Sequence, residues 1–266
     1  MNGFQLYFRM IQLSLLSHMQ YRANFIAGVL GLVFWNVINL ALIGVLVTQF
    51  VTLNNWTLWE LVFLYCLWIL AHSLYNLFFS HTRQLEEYLL EGTFDQFLLR
   101  PASPLLQFLG REFQYTEIAD MLIGVTGLSL AYAQLGLHWD VLKWSFFILA
   151  VVSGAIIVWT LDLLIACSAF WTGRSRGIFI MVSPFYSLAH QYPVDIFGNA
   201  FRMIVTSLIP VAFMNYYPSL FLLDKLDRAG SAGWLSYMSP LVALMLIGMV
   251  SIVWKLALKR YTSSGS

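Results

Sequence analysis

The chain has 266 residues, 60% of them hydrophobic and 17% aromatic, with only 10% charged and a net charge of +1. Together with a mean hydropathy of +0.75, this excludes an ordinary soluble domain and a disordered chain. The net charge points to no partner class, and no basic tract exists that could hold nucleic acid.

Apolar stretches of about 20 residues recur, each long enough to cross a hydrocarbon core of roughly 30 Å. Segments of about ten residues alternating in polarity, the mark of a β-barrel, are absent. The fold class is therefore all-α, a polytopic membrane protein. Cys66 and Cys167 fall inside apolar stretches and read as small core residues, not as a disulfide. Gln5, Arg9, Gln12 and His18 interrupt the N-terminus, which does not read as a cleavable signal peptide.

Residues 1–22 carry Phe4, Tyr7, Phe8, Ile11 and Leu15 at helical spacing, as in an interfacial helix lying on the membrane. A disordered tail is the alternative. A first span is expected over about Asn24–Phe50 and a second over about Leu58–Ser80, joined by a turn at Asn54, Asn55 and Thr57. An amphipathic insert, residues 81–113, follows. A third span covers about Gln114–Leu137, a fourth about Lys143–Phe170, and the last about Tyr237–Leu258. Trp56, Trp59, Trp139, Trp144, Trp234 and Tyr237 lie near span ends and read most simply as interfacial anchors.

Between Ile178 and Leu223 the pattern is broken by Pro184, Pro193, Pro210 and Pro218, with Asp195 and Arg202 inside it. Proline blocks helix continuation, and broken backbone at membrane depth survives only in protein or lining a cavity. Charge placement decides the count. One span over Ile178–Gln191 and a re-entrant helical hairpin over residues 192–223 put Arg9, Arg22, Arg83, Arg100, Arg111, Arg174, Arg176, Lys255, Lys259 and Arg260 on one side. Two full spans would send the C-terminal cluster across, against the positive-inside rule. The expectation is six transmembrane helices forming a single unit, with both termini cytoplasmic.

No catalytic constellation, metal-ligand pair or cofactor motif is present, and there is no G-x-x-x-x-G-K-[ST] phosphate loop. If transport here is driven by ATP, the ATPase is another polypeptide. Asp162 is the costliest residue in the spans, at about 2.5–3.5 kcal/mol on insertion scales. It reads as part of a translocation path, as a structural partner of a hydroxyl, or as a residue snorkelling toward the inner face; Asn36, Asn39, Glu117 and Asp120 are weaker cases. Asp195 and Arg202, seven residues apart, can share a face if one helix carries both.

The insert reads HTRQLEEYLLEGTFDQFLLRPASPLLQFLGREF. Leu85, Tyr88 and Leu89 form one apolar face beside Glu86, Glu87 and Glu91. Phe94, Phe97 and Leu98 form a second, with Asp95 and Arg100 on the polar side. Such a segment can fill a groove on a soluble protein or rest on lipid. Within it, LEEYLLEGTFDQFLLRPASPLL resembles the signature of ABC type-2 transporter permeases, a poorly characterised bacterial group of them, at Gly92, Phe94, Asp95, Leu98, Leu99, Arg100 and Pro101. Tyr21-Arg22 before Asn24-Phe25, Asn55-Trp56 with Glu60, Tyr192-Pro193, Ile209-Pro210 and Tyr217-Pro218 agree with that likeness.

The resemblance implies a permease subunit in the bacterial inner membrane without its own ATPase site, working in export with an ABC ATPase subunit and a second permease, the same or a homologous chain. It implies that the insert is a cytoplasmic coupling helix. Leu89, Phe94 and Phe97 would then enter the ATPase while Glu91, Asp95 and Arg100 fix register, Gly92 bends the segment and Pro101 ends it. Broken helices around Pro193 and Pro210 would form an outer gate, with Asp162, Asp195 and Arg202 as candidate path residues. The alternative from another class is a secondary transporter driven by an ion gradient, which wants inverted repeats and paired intramembrane carboxylates. A non-transporting scaffold is a third reading, for which nothing specific argues.

Overall fold

Twelve α-helices and short 3-10 turns make up the computed structural model, which describes residues 22–49 and 54–261; no strand occurs among them. The surface helix expected over residues 1–22 lies outside the described residues, apart from Arg22, which opens α1 (Arg22–Gln49). The centre is α2 (Leu58–Phe79), hydrophobic all round and buried through most of its length, as such a helix must be. Its 22 residues rise about 33 Å.

After the insert, α6 (Glu117–Gln134) returns along α2, and a turn at Gly136 leads into α7 (Val141–Cys167), extended by α8 (Ala169–Thr172). α9 (Arg176–Gln191) runs back, and α12 (Ser239–Arg260) closes the bundle against α7. Small residues let these helices approach. A Cβ on Gly124 would stand 2.8 Å from Leu70 on α2, and one on Gly154 would stand 2.9 Å from Ala71 and 3.1 Å from the Met214 carbonyl.

Among the described residues four helices are long and apolar enough to cross a membrane: Ile26–Val45, Leu58–Leu90, Val141–Thr172 and Ser239–Arg260. A fifth is reached if the pair Asn199–Leu208 and Val211–Leu222, bent by 79°, counts as one span. The expected count of six thus exceeds what length and composition support. α6 begins with Glu117 and Asp120. α9 has 16 residues, about 24 Å, short of the hydrocarbon thickness.

Between α9 and α12 the chain is broken as its prolines require. Tyr192 is extended and Pro193 follows it; α10 (Asn199–Met203) passes into a π turn, closed by the Ile209 N–H on the Ile204 carbonyl at 2.8 Å. Pro210, which has no N–H, ends that arm, and α11 (Tyr216–Leu222) forms the second. Every residue from Pro210 to Leu220 is buried in protein. Within this stretch Asn215 donates to the Leu64 carbonyl at 3.4 Å, and Ser239 donates to the Phe213 carbonyl at 2.7 Å.

Gly154 sits where α2, α7 and this buried arm meet. Gly154→Val should cost about 1–3 kcal/mol, because a backbone carbonyl cannot step aside as a side chain can. A lowered unfolding midpoint in detergent checks this, with Gly248→Val, whose Cβ meets nothing within 4 Å, unchanged.

Candidate functional site

The insert folds as three short helices, α3 (Leu85–Leu90), α4 (Asp95–Leu98) and α5 (Pro104–Leu109), after a 3-10 turn at Ser80–Gln84. Gly92 stands at the bend between the first two with φ +69°, a backbone region that glycine enters without a Cβ penalty. Pro101 lies past the end of α4 as expected, whereas Pro104 opens α5, where its missing N–H costs nothing. Gln107, fully buried, donates from Nε2 to the carbonyls of Phe97 (3.1 Å) and Ala102 (2.8 Å) and so pins the turn between α4 and α5.

The insert's aromatic side is turned inward. Phe94 and Phe97 are buried with Leu85 and Phe108 against Leu163, Ala166, Val250, Trp254 and Ala257 of α7 and α12, and Leu89 is partly buried beside them. Phe94 and Phe97, expected to enter a partner, thus meet the chain's own helices, while Leu89 keeps part of its surface open. Leu90 (58%), Leu98 (45%), Leu99 (84%) and, on α5, Leu106 (41%) are the exposed leucines around it, with Glu91, Arg100 and Pro101 also exposed and Asp95 half-buried.

Beneath the insert lies Asp162, 1% exposed. Its Oδ2 accepts from the Tyr75 hydroxyl at 2.6 Å and from Arg83 Nε at 2.7 Å; Oδ1 faces the Tyr186 hydroxyl at 3.5 Å. Asp162 is therefore not an isolated carboxylate. It joins α2, the start of the insert, α7 and α9. A groove of about 420 Å³ opens beside it, lined by Trp68, His72, Arg83, Arg176, Phe179, Tyr186 and His190 among others. Trp68 is stacked between His190 (3.9 Å between ring centroids, 15° between planes) and His72 (4.7 Å, 26°), which fixes the far end of α9 against α2.

Asn36 donates to Asp120 at 2.9 Å and accepts from the Tyr65 hydroxyl at 3.0 Å, joining α1, α6 and α2. Asn39 accepts from Gln191 at 3.4 Å. At the opposite end from the insert, Asp195 accepts from Trp56 Nε1 (3.1 Å), Asn54 Nδ2 (3.1 Å) and Arg228 Nη1 (3.1 Å). Arg202 reaches the Ala229 carbonyl instead, at 3.5 Å. Asp195 and Arg202 do not share a helix face, because Phe197 and Gly198 are extended and divide the segment into two short helices. Trp56, expected as an interfacial anchor, is fully buried, with Lys225 and Arg228 over its ring at 5.1 and 4.9 Å. Pro193 and Pro210 are both buried and stand at the breaks in this region.

Sequence reasoning missed one residue with clear work to do. Glu86 Oε2 accepts from the backbone N–H of Ser175 (2.6 Å), the Ser175 hydroxyl (3.0 Å) and the backbone N–H of Arg176 (2.7 Å), so a carboxylate on the insert caps the N-terminus of α9. The partner lies 89 positions away, and nothing in the local pattern announces it.

A family model described as "ABC-2 family transporter protein" matches residues 33–265, from within α1 through the insert, the groove and the last helix. Comparison with curated proteins and with solved structures gives no match.

The Arg83–Asp162 pair is lopsided: the arginine side chain is 50% exposed and the aspartate 1%. Arg83→Leu, which leaves a buried carboxylate with hydroxyl partners only, should cost about 3–5 kcal/mol. Asp162→Leu leaves a guanidinium that reaches water and should cost less, and the double variant should be more stable than Arg83→Leu alone. Unfolding midpoints of the three variants in detergent test this order.

Proposed function

This chain belongs to the ABC-2 transporter family, and from that premise we propose that it works as the permease subunit through which a separate ATPase, seated on the insert, drives export. The observation that carries this reading is the two-sidedness of the insert. Its aromatic side is fixed to α7 and α12, so the segment is held firmly, while Leu90, Leu98, Leu99, Glu91 and Arg100 are turned away from that core. An apolar patch edged by acids and a base suits a protein groove. The chain carries no phosphate loop of its own. In this reading the contact residues are Leu90, Leu98 and Leu99, with Glu91, Asp95 and Arg100 at their rim, while Leu89, Gly92, Phe94, Phe97 and Pro101 hold the shape.

The arrangement proposed is one permease domain over residues 1–266. α1, α2, α6, α7, α9 and α12 would cross the bacterial inner membrane and residues 192–223 would be re-entrant, with both termini and the insert cytoplasmic. Two permease chains, identical or homologous, would pair with two ATPase subunits. The partnering of Asp120 by Asn36 supports α6 as a span despite its acids, and the burial of residues 210–220 supports a re-entrant pair. The sidedness rests on the Lys and Arg distribution. Asp162, Asp195, Arg202, Pro193 and Pro210 would act by shaping the path and its outer gate rather than by chemistry.

Two measurements test this. In co-purification with the ATPase, Leu98→Glu with Leu99→Glu should abolish the complex while the permease stays folded. Phe97→Ala should instead lower permease stability, by about 3–5 kcal/mol for a buried aromatic. Retained complex in the double variant would remove the insert as the seat. For sidedness, Cys66 and Cys167 are buried, so a cysteine at Arg174 should label only from the cytoplasmic face and one at Asp227 only from outside; the reverse pattern would invert the topology.

A further inference from the structure

α9 forms one wall of the groove yet is weakly embedded. Ala189 is its one buried residue, and Ile180 and Met181 are 65% and 74% exposed. Besides Ala189, its apolar contacts are limited to Phe179, Phe185 and Tyr186, each only partly buried against the core. At its far end it is held by the stack of His190 on Trp68. At its near end the tie is polar and comes from the insert.

Ser175 precedes the helix at φ −116°, ψ −19°, and its side chain does not cap its own helix. The hydroxyl and two backbone N–H groups all donate to Glu86 Oε2 at 2.6–3.0 Å. Three donors on one carboxylate oxygen, at the positive end of a helix, make a charge-assisted and directional joint. Three residues earlier, Arg83 binds Asp162, whose other oxygen faces Tyr186 on α9. The insert thus touches this wall at its start and, through Asp162, about ten residues further along.

We propose that Glu86, supported by Arg83, is a positioning residue that carries movement of the insert to the α9 wall of the groove. This rests on the reading that the insert seats the ATPase. A push on the insert then reaches the groove directly as well as through the two helices that the insert joins. Glu86 itself need not touch the ATPase.

The test uses the permease–ATPase complex in lipid nanodiscs and proteoliposomes, with hydrogen exchange followed in residues 85–100 and 176–183 with and without ATP. In the native complex both segments should respond to ATP. In Glu86→Leu, residues 85–100 should still respond, 176–183 should not, and ATP hydrolysis and ATPase binding should persist while export per ATP falls about tenfold, as expected for loss of charge-assisted bonds. Glu86→Gln keeps an acceptor oxygen and should recover most of the export, which a merely apolar packing role would not allow. Should Glu86→Leu fail to fold, Glu86→Gln combined with Ser175→Ala should show the same decoupling at about threefold. An ATP response at 176–183 that survives in the variants, or export at the native rate, overturns the proposal while leaving the insert as the ATPase seat. Failure of the native chain to bind the ATPase removes that seat, and the proposal with it.

Discussion

Asp162 is the constraint around which the insert end of this permease is arranged. A carboxylate inside a membrane helix is tolerated only if its charge is answered locally, and here the answers come from three other parts of the chain. Tyr75 supplies a hydroxyl from α2, Arg83 a guanidinium from the turn that opens the insert, and Tyr186 a more distant hydroxyl from α9. Each bond fixes a neighbour. Because Arg83 must reach inward, Ser80–Gln84 tightens into a 3-10 turn against α7, and the insert begins folded back on the bundle. Replacing the pair by hydrophobic residues would relieve desolvation, but it would remove the point at which α2, α7, α9 and the insert are tied together.

From that anchor the insert's aromatic side follows. Phe94, Phe97 and Phe108 form edge-on and tilted contacts with one another and with Tyr88, and Phe94 reaches Phe170, Trp254 and Tyr261. Such ring clusters bury large areas in specific geometry. An amphipathic segment of this kind can place its apolar face on lipid, on a partner or on its own fold, and periodicity is the same in all three cases. What separates them is whether the chain itself offers complementary surface. Here α7 and α12 do, so the residues left for a partner are those just off the stripe.

Much of the architecture was legible for a simple reason: in lipid, span and insert differ sharply in composition. The bounds of α1, α2, α7 and α12 fall close to the expected ones, and the break after Gln191 falls where Pro193 demands it. Positions set by tertiary pairing were not legible. The sequence flags Asp162 as costly but cannot name Arg83, 79 positions earlier, as its partner. Glu86 looks like one more solvated acid until α9 is placed beside it. Asp195 and Arg202 have helical spacing, yet an extended Phe197–Gly198 link separates them and gives Asp195 to Arg228. The expected six is not reached by length and composition because it counts α6, which opens with two acids, and α9, which has only 16 residues.

The two ends of the molecule are held together differently, and this bears on where motion can enter. Away from the insert, Lys225 binds Glu60 and Lys143 binds Asp224, each at 2.6 Å, while Arg228 binds Asp195 and two backbone carbonyls of the Asn54–Asn55 turn. These ties link the start of α2, the start of α7 and both sides of the broken region, and with the buried arm at 210–220 they make that end a closed network. At the other end the ties radiate from the insert: Phe94 and Phe97 to α7 and α12, Arg83 to Asp162, Glu86 to α9. Side chains of the insert thus reach three helices, α7, α9 and α12, besides α2 and α6, which it connects. Of these five helices α9 is the least embedded, with Ala189 its one buried residue, so in the coupling proposed above its position is the one that depends most on the insert.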